Sequence, residues 1–82
     1  MVCVEFTKEF QNIFCKIKDN FLKQKILKQI EKIKANPEVG KPMKSIRKRT
    51  RELYIKPFRL SYKYFVKEEV VYLLDLYHKD KQ

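Results

Sequence analysis

A single glycine, Gly40, is present in the whole chain. Its scarcity excludes the glycine-rich loops that cradle nucleotide phosphates on backbone N–H groups. Histidine is just as rare, with His78 the only imidazole, and the two cysteines, Cys3 and Cys15, stand twelve residues apart. One His, two separated thiols and scattered carboxylates make no recognisable metal-ligand spacing, so no metal or other cofactor is expected. Both cysteines fall in periodic segments and read as buried core thiols. No apolar stretch approaches the ~18 residues of a membrane-spanning helix. The opening residues carry Glu5, Lys8 and Glu9, which argues against a signal peptide, and a cytoplasmic protein is the expectation.

Acidic residues are the largest deficit. Ten Asp and Glu face 20 Lys and Arg, leaving a net charge of +10, more than solubility requires. Such an excess favours nucleic acid, because neutralised phosphates release their condensed counterions. Lys41, Lys44, Arg47, Lys48, Arg49 and Arg51 form a run without an acidic residue. A run of this kind is often only a solvated face; here it leads directly into an aromatic, β-rich C-terminal third, and RNA is the favoured polyanion.

With 82 residues and 44% hydrophobic content, the chain supports one domain with one small core. Residues 2–6 alternate, with Val2, Val4 and Phe6 on one side of a short strand. Phe10, Ile13, Phe14 and Ile17 then take helical spacing, with Thr7 placed as the cap and Asp19-Asn20 as the break. A second helix is expected over residues 21–34, since Leu22, Ile26, Ile30 and Ile33 form one stripe while Lys23, Lys25, Lys28 and Lys32 cover the remainder. That stripe would also suit a membrane surface, but the strands that follow need a cover. Residues 36–43 hold two of the three prolines and the glycine, and read as a connection.

Three strands follow over residues 53–55, 58–66 and 70–77, joined by connections too short for crossovers and therefore antiparallel. Phe58, Leu60, Tyr62 and Tyr64 share one face of the middle strand, while Arg59, Ser61 and Lys63 share the other. The expected fold is α+β: a short strand, an antiparallel helical hairpin, then three antiparallel strands in one sheet covered by the helices. The first strand adds to an edge or joins the middle of that sheet.

In this order the elements resemble the RelE/ParE superfamily of toxins from type II toxin-antitoxin systems, over essentially the full chain. The stretch Arg51, Glu52, Leu53, Tyr54, Ile55, Lys56, Pro57, Phe58, Arg59, Leu60, Ser61, Tyr62 looks like that family's "RELxIxPYRxxY" hairpin. Leu73, Leu74, Asp75, Leu76, Tyr77, His78, Lys79 looks like its last strand. The resemblance implies a small basic toxin held inactive by a cognate antitoxin protein. Some RelE-like members cleave mRNA in the ribosomal A site, whereas ParE-like members act on DNA gyrase and are not nucleases.

For the cleaving members the resemblance implies attack of a ribose 2′-OH on the adjacent phosphate, which needs a base, cations at the phosphate and an acid for the leaving oxygen. Arg59 matches the arginine of the family's "YR" step and is the first choice for contacting the scissile phosphate; its competing role is an ion pair with Glu52 across the hairpin. Glu52 and Tyr54 stand where efficient nucleases place lysines, leaving Tyr54 as a hydroxyl or stacking group. Lys79 is retained from a C-terminal basic pair, Asp80 replaces its partner, and Lys81 is a substitute. The family's C-terminal tyrosine has no counterpart. His78, ionising near neutral pH, is a further acid or base candidate, and Tyr77 a base-stacking one. The candidate catalytic set is Arg59, Lys79, His78 and Tyr54. Arg47, Lys48, Arg49, Arg51, Lys56, Lys63, Tyr77 and Lys81 are the candidate RNA-binding residues. Three functions remain open at this point: an mRNA-cleaving toxin with ribosome and mRNA as partners, a noncatalytic toxin directed at gyrase, and a nontoxic RNA-binding module.

Overall fold

The computed structural model of the chain describes residues 2–42, 50–78 and 80. Strand β1 (Cys3–Phe6) leads into helices α1 (Lys8–Cys15) and α2 (Asn20–Ala35), followed by β2 (Lys41–Pro42), β3 (Thr50–Ile55), β4 (Phe58–Phe65) and β5 (Val70–His78). The strands form one sheet in the order β1-β5-β4-β3-β2. The α+β arrangement is the expected one. β3, β4 and β5 are antiparallel neighbours, and β1 takes an edge, parallel to β5 with Cys3 opposite Val70.

Each helix begins where a short polar side chain satisfies its open N–H groups. The Thr7 hydroxyl accepts from Phe10 N at 3.3 Å and donates to Leu73 O at 2.6 Å, which also ties the start of α1 to β5. Asp19 accepts from Phe21 N at 2.9 Å to start α2, and Lys32 and Lys34 in its last turn complement the helix dipole. α1 buries Phe10 completely, with the rings of Phe6 and Phe14 5.3 and 6.1 Å away. α2 buries Ile26, Ile30 and Ile33 in the same core as Ile55, Leu60, Tyr62, Val71, Leu73 and Leu76. The stripe that would have suited a membrane is therefore spent on the sheet, and among the described residues no helix is long and apolar enough to cross a membrane.

The cysteines correct the sequence reading: both are free and exposed. Val2 and Phe6 claim the core side of the first strand, so period two turns Cys3 outward with Glu5. Cys15 is the last residue of α1 and lies off the Phe10–Phe14 stripe. Both thiols of the native protein are expected to react with an aromatic disulfide reagent before any unfolding. Reaction only after denaturant is added would contradict the assigned faces.

Two further departures concern the connection after α2. Residues 41–42 pair with β3, Lys41 opposite Glu52 and Pro42 opposite Arg51, adding a fifth strand to the sheet. A two-residue edge strand carrying proline has no periodicity to announce it. Gly40, just before it, lies against the buried ring of Tyr62: a Cβ on Gly40 would stand 2.6 Å from Tyr62 Oη and 2.8 Å from Cε1. Here glycine is required by close approach, since its N–H donates to Tyr62 Oη at 2.8 Å while that hydroxyl donates to Pro37 O at 2.8 Å.

Candidate functional site on the open sheet face

Alternation along the three long strands sends one set of side chains into the core and the other to the open face. Tyr54 stands opposite Arg59, Glu52 opposite Ser61 and Thr50 opposite Lys63. β5 supplies Tyr77 opposite Arg59 and Asp75 opposite Ser61, and an extra residue, Leu74, interrupts the β4–β5 register between Ser61 and Tyr62. That bulge lets Leu73 and Leu76 both reach the core.

At the centre of the open face is a carboxylate. The side chain of Glu52 is only 4% exposed, and its Oε1 lies 3.4 Å from Arg59 Nη1, diagonally across the hairpin. Tyr77 donates its hydroxyl proton to Glu52 Oε2. The Arg59 guanidinium also lies 6.0 Å from the centre of the Tyr54 ring. Arg59 keeps part of its surface in solvent, and its Nε is buried without a hydrogen-bond partner among the described residues, an unmade bond of the kind found at functional sites. A depression of about 440 Å³ opens beside this group, lined by Val39, Lys41, Pro42, Glu52, Tyr54 and Arg59.

The structure brings Arg59, Tyr54 and Tyr77 of the sequence-predicted set together, with Lys63 four residues from Arg59 along β4 on the same face. It does not bring in His78, which pairs opposite Phe58 on the helix-covered face. The His78 ring meets that of Phe58 edge-on at 5.6 Å, and its Nδ1 lies 3.3 Å from Asp80 N and 3.6 Å from the Asp80 carboxylate. Arg51 is turned the same way: its Nη1 donates to Glu38 O at 3.0 Å and to Gly40 O at 2.8 Å, fastening the connection after α2 to β3. Lys56 is exposed in the β3–β4 turn, and Lys63 holds its ammonium 4.9 Å over the Phe65 ring. Arg47, Lys48, Arg49, Lys79 and Lys81 lie outside the described residues.

Glu52 is the residue whose role the sequence hid. It was legible as a departure from the family pattern, but its burial depends on Arg59 and Tyr77, the latter 25 positions distant. The open face of the long strands is also less cationic than the whole chain: Arg59 and Lys63 stand against Glu52 and Asp75.

A family profile described as the ParE toxin of the type II toxin-antitoxin system parDE matches residues 4–82. The chain belongs to the RelE/ParE family of type II toxins. Solved structures of similar fold include the toxin-antitoxin complex RelBE2 of Mycobacterium tuberculosis, at 22% identity and a TM-score of 0.82, with 95% of this chain and 98% of that one covered. The intact Escherichia coli RelBE complex is similar at 11% identity and a TM-score of 0.82, with coverage of 95% and 96%. The isolated E. coli RelE toxin reaches 0.81 at 12% identity, covering 100% of this chain and 88% of its own. At these identities the likeness is one of fold. No curated protein matches the chain by sequence. For this family member, then, the carboxylate-centred cluster sits on a sheet face that the helices leave open.

Proposed function

We propose that this toxin inhibits translation by cleaving mRNA on the ribosome, with the Glu52–Arg59–Tyr77 cluster as its reaction centre and the cytoplasm as its place of action. The observation that supports the reading is that cluster: a proton acceptor, a cation and a hydroxyl donor meet on one open face. A 2′-OH that donates to Tyr77 Oη passes its proton, through the Tyr77 O–H, to the Glu52 carboxylate. The freed oxygen attacks the adjacent phosphorus, and the charge that builds on the phosphoryl oxygens faces Arg59. The bond to the 5′-oxygen breaks, and that oxygen takes a proton from the exposed hydroxyl of Tyr54. The products are a 2′,3′-cyclic phosphate and a 5′-hydroxyl end. A cognate antitoxin, acidic enough to offset part of the +10 charge, is the expected inhibitory partner.

In a reconstituted translation reaction, added toxin should produce discrete breaks within translated codons, mapped by primer extension. Arrested translation on intact mRNA would overturn the proposal. Two observations favour a second reading, a noncatalytic toxin directed at DNA gyrase. Glu52 already neutralises Arg59, and His78 faces the other way. That reading predicts altered DNA supercoiling with mRNA unbroken, and normal supercoiling in arrested cells would refute it.

A further inference from the structure

The near balance of charge on the open face of the three long strands leaves most of the +10 to be placed elsewhere, and among the described residues much of it lies on α2. This helix carries Lys23, Lys25, Lys28, Lys32 and Lys34 against a single acidic residue, Glu31. Phe21, Lys25, Lys28 and Lys32 are spaced by four, three and four residues. At 3.6 residues per turn they fall within about 60° of arc, and at ~1.5 Å per residue the lysines span about 10 Å. All four are exposed, Phe21 by 74%. Glu31 sits on the other flank, 3.9 Å from Lys34. Among the described residues no carboxylate lies within ion-pair distance of the three row lysines, and the Lys25 ammonium stands 5.7 Å from the centre of the Phe21 ring.

We propose that the Lys25–Lys28–Lys32 row of α2, with Phe21 at its end, is an anchoring site for the phosphate backbone of structured RNA, separate from the open sheet face. Charge complementarity carries the assignment. Three ammonium groups without a carboxylate partner among the described residues match successive phosphates, and the recess of about 90 Å³ beside Phe21, Gln24, Lys25 and Lys28 is too small to enclose a base, so the contacts position the protein without reading sequence. A membrane is the poorer match, because interfacial binding needs a broad apolar face and that of α2 is buried in the core. An apolar partner segment is better served elsewhere: the groove between β1 and α2, lined by Val4, Phe6, Leu27 and Ile30, lies on the opposite flank from the lysine row.

The inference rests on the RNA-directed reading for its ligand. Its test measures binding without ribosomes, so failure of the site and failure of cleavage are told apart. Full-length toxin would be titrated with a labelled RNA hairpin of ~16 base pairs, a length that a shape-reading protein can span, at several salt concentrations. Lys25→Gln/Lys28→Gln/Lys32→Gln should weaken binding on the order of 10-fold or more and reduce the slope of log affinity against log salt by about 2 to 3, close to one per phosphate contact. Glutamine and lysine have similar helix propensity, so the fold should be retained. The corresponding Lys→Arg triple should bind like wild type. Lys8→Gln/Lys34→Gln/Lys67→Gln removes the same net charge from other surfaces and should change the slope by less than about 1. An unchanged slope in the α2 variant, or an equal change in the control, would overturn the site. An equal loss on duplex DNA would overturn its assignment to RNA, and so would a loss confined to anionic phosphatidylserine vesicles.

Discussion

Arg59→Ala is expected to lower mRNA cleavage by about 100- to 1,000-fold, the cost of removing one donor from the place where transition-state charge develops. Arg59→Lys keeps a cation but loses the planar fork and should recover only part of the activity. The cluster complicates the experiment in a useful way. With Arg59 gone, the Glu52 carboxylate is left buried beside Tyr77 alone, so the variant should melt at a lower temperature as well as lose activity. Arg59→Ala/Glu52→Gln removes both charges and should recover stability without recovering cleavage. Recovery of both together would mean that Arg59 merely holds the sheet in shape and that Glu52 is not the proton acceptor. Cleavage undiminished in Arg59→Ala would remove it from the site.

Gly40→Ala should be the most damaging small substitution outside that cluster. The added methyl meets Tyr62 Oη at 2.6 Å and Cε1 at 2.8 Å, and the ring is fully buried, so neither side yields cheaply. Overpacking of this kind costs about 1–3 kcal/mol, and disturbing the hydroxyl bridge between Gly40 N and Pro37 O adds about 1–3 kcal/mol more. At roughly 4–8 °C per kcal/mol for a domain of this size, a fall in Tm of at least about 10 °C is expected. Tyr62→Phe removes only the hydroxyl and should cost less. The two changes share a contact, so their double variant should be less destabilised than the sum of the singles. Burial holds the Tyr62 hydroxyl ionisation above its ordinary value of 10.0, outweighing the Gly40 N–H and the Arg51 charge, which pull it down. The folded state thus retains this proton more tightly than the unfolded one. The corresponding stability is fully present below pH ~10 and is lost as pH rises further. A Tm for Gly40→Ala within 2 °C of wild type, by the same scale worth well under about 1 kcal/mol, would contradict the packing described here.

The helices and the β4–β5 pair were legible because burial there is carried by apolar side chains at regular intervals. Phe10, Ile26, Ile30 and Ile33, then Leu60, Val71 and Leu73, announce their faces by spacing alone. Where polar groups do the burying, spacing says nothing. Thr50, Arg51 and Glu52 extend β3 beyond its apolar residues because Arg51 is bonded to the backbone of residues 38 and 40 and Glu52 is closed over by Arg59 and Tyr77. The same limit applies to the site. Arg59 and Tyr54 were visible through the hairpin motif, but the side of the sheet taken by His78 follows from its register opposite Phe58, which no local pattern encodes. The lysines of α2 were visible as the solvent side of an amphipathic helix; their alignment without acidic partners became meaningful only once the open sheet face proved nearly balanced.

The most direct test of the central claim is a brief pulse of the toxin in cells lacking its antitoxin, with mRNA ends mapped by primer extension and plasmid supercoiling measured in the same culture. Breaks inside translated codons, absent with Arg59→Ala, and normal supercoiling are the expected result. Growth arrest with intact mRNA and altered supercoiling would contradict it and assign this family member to gyrase.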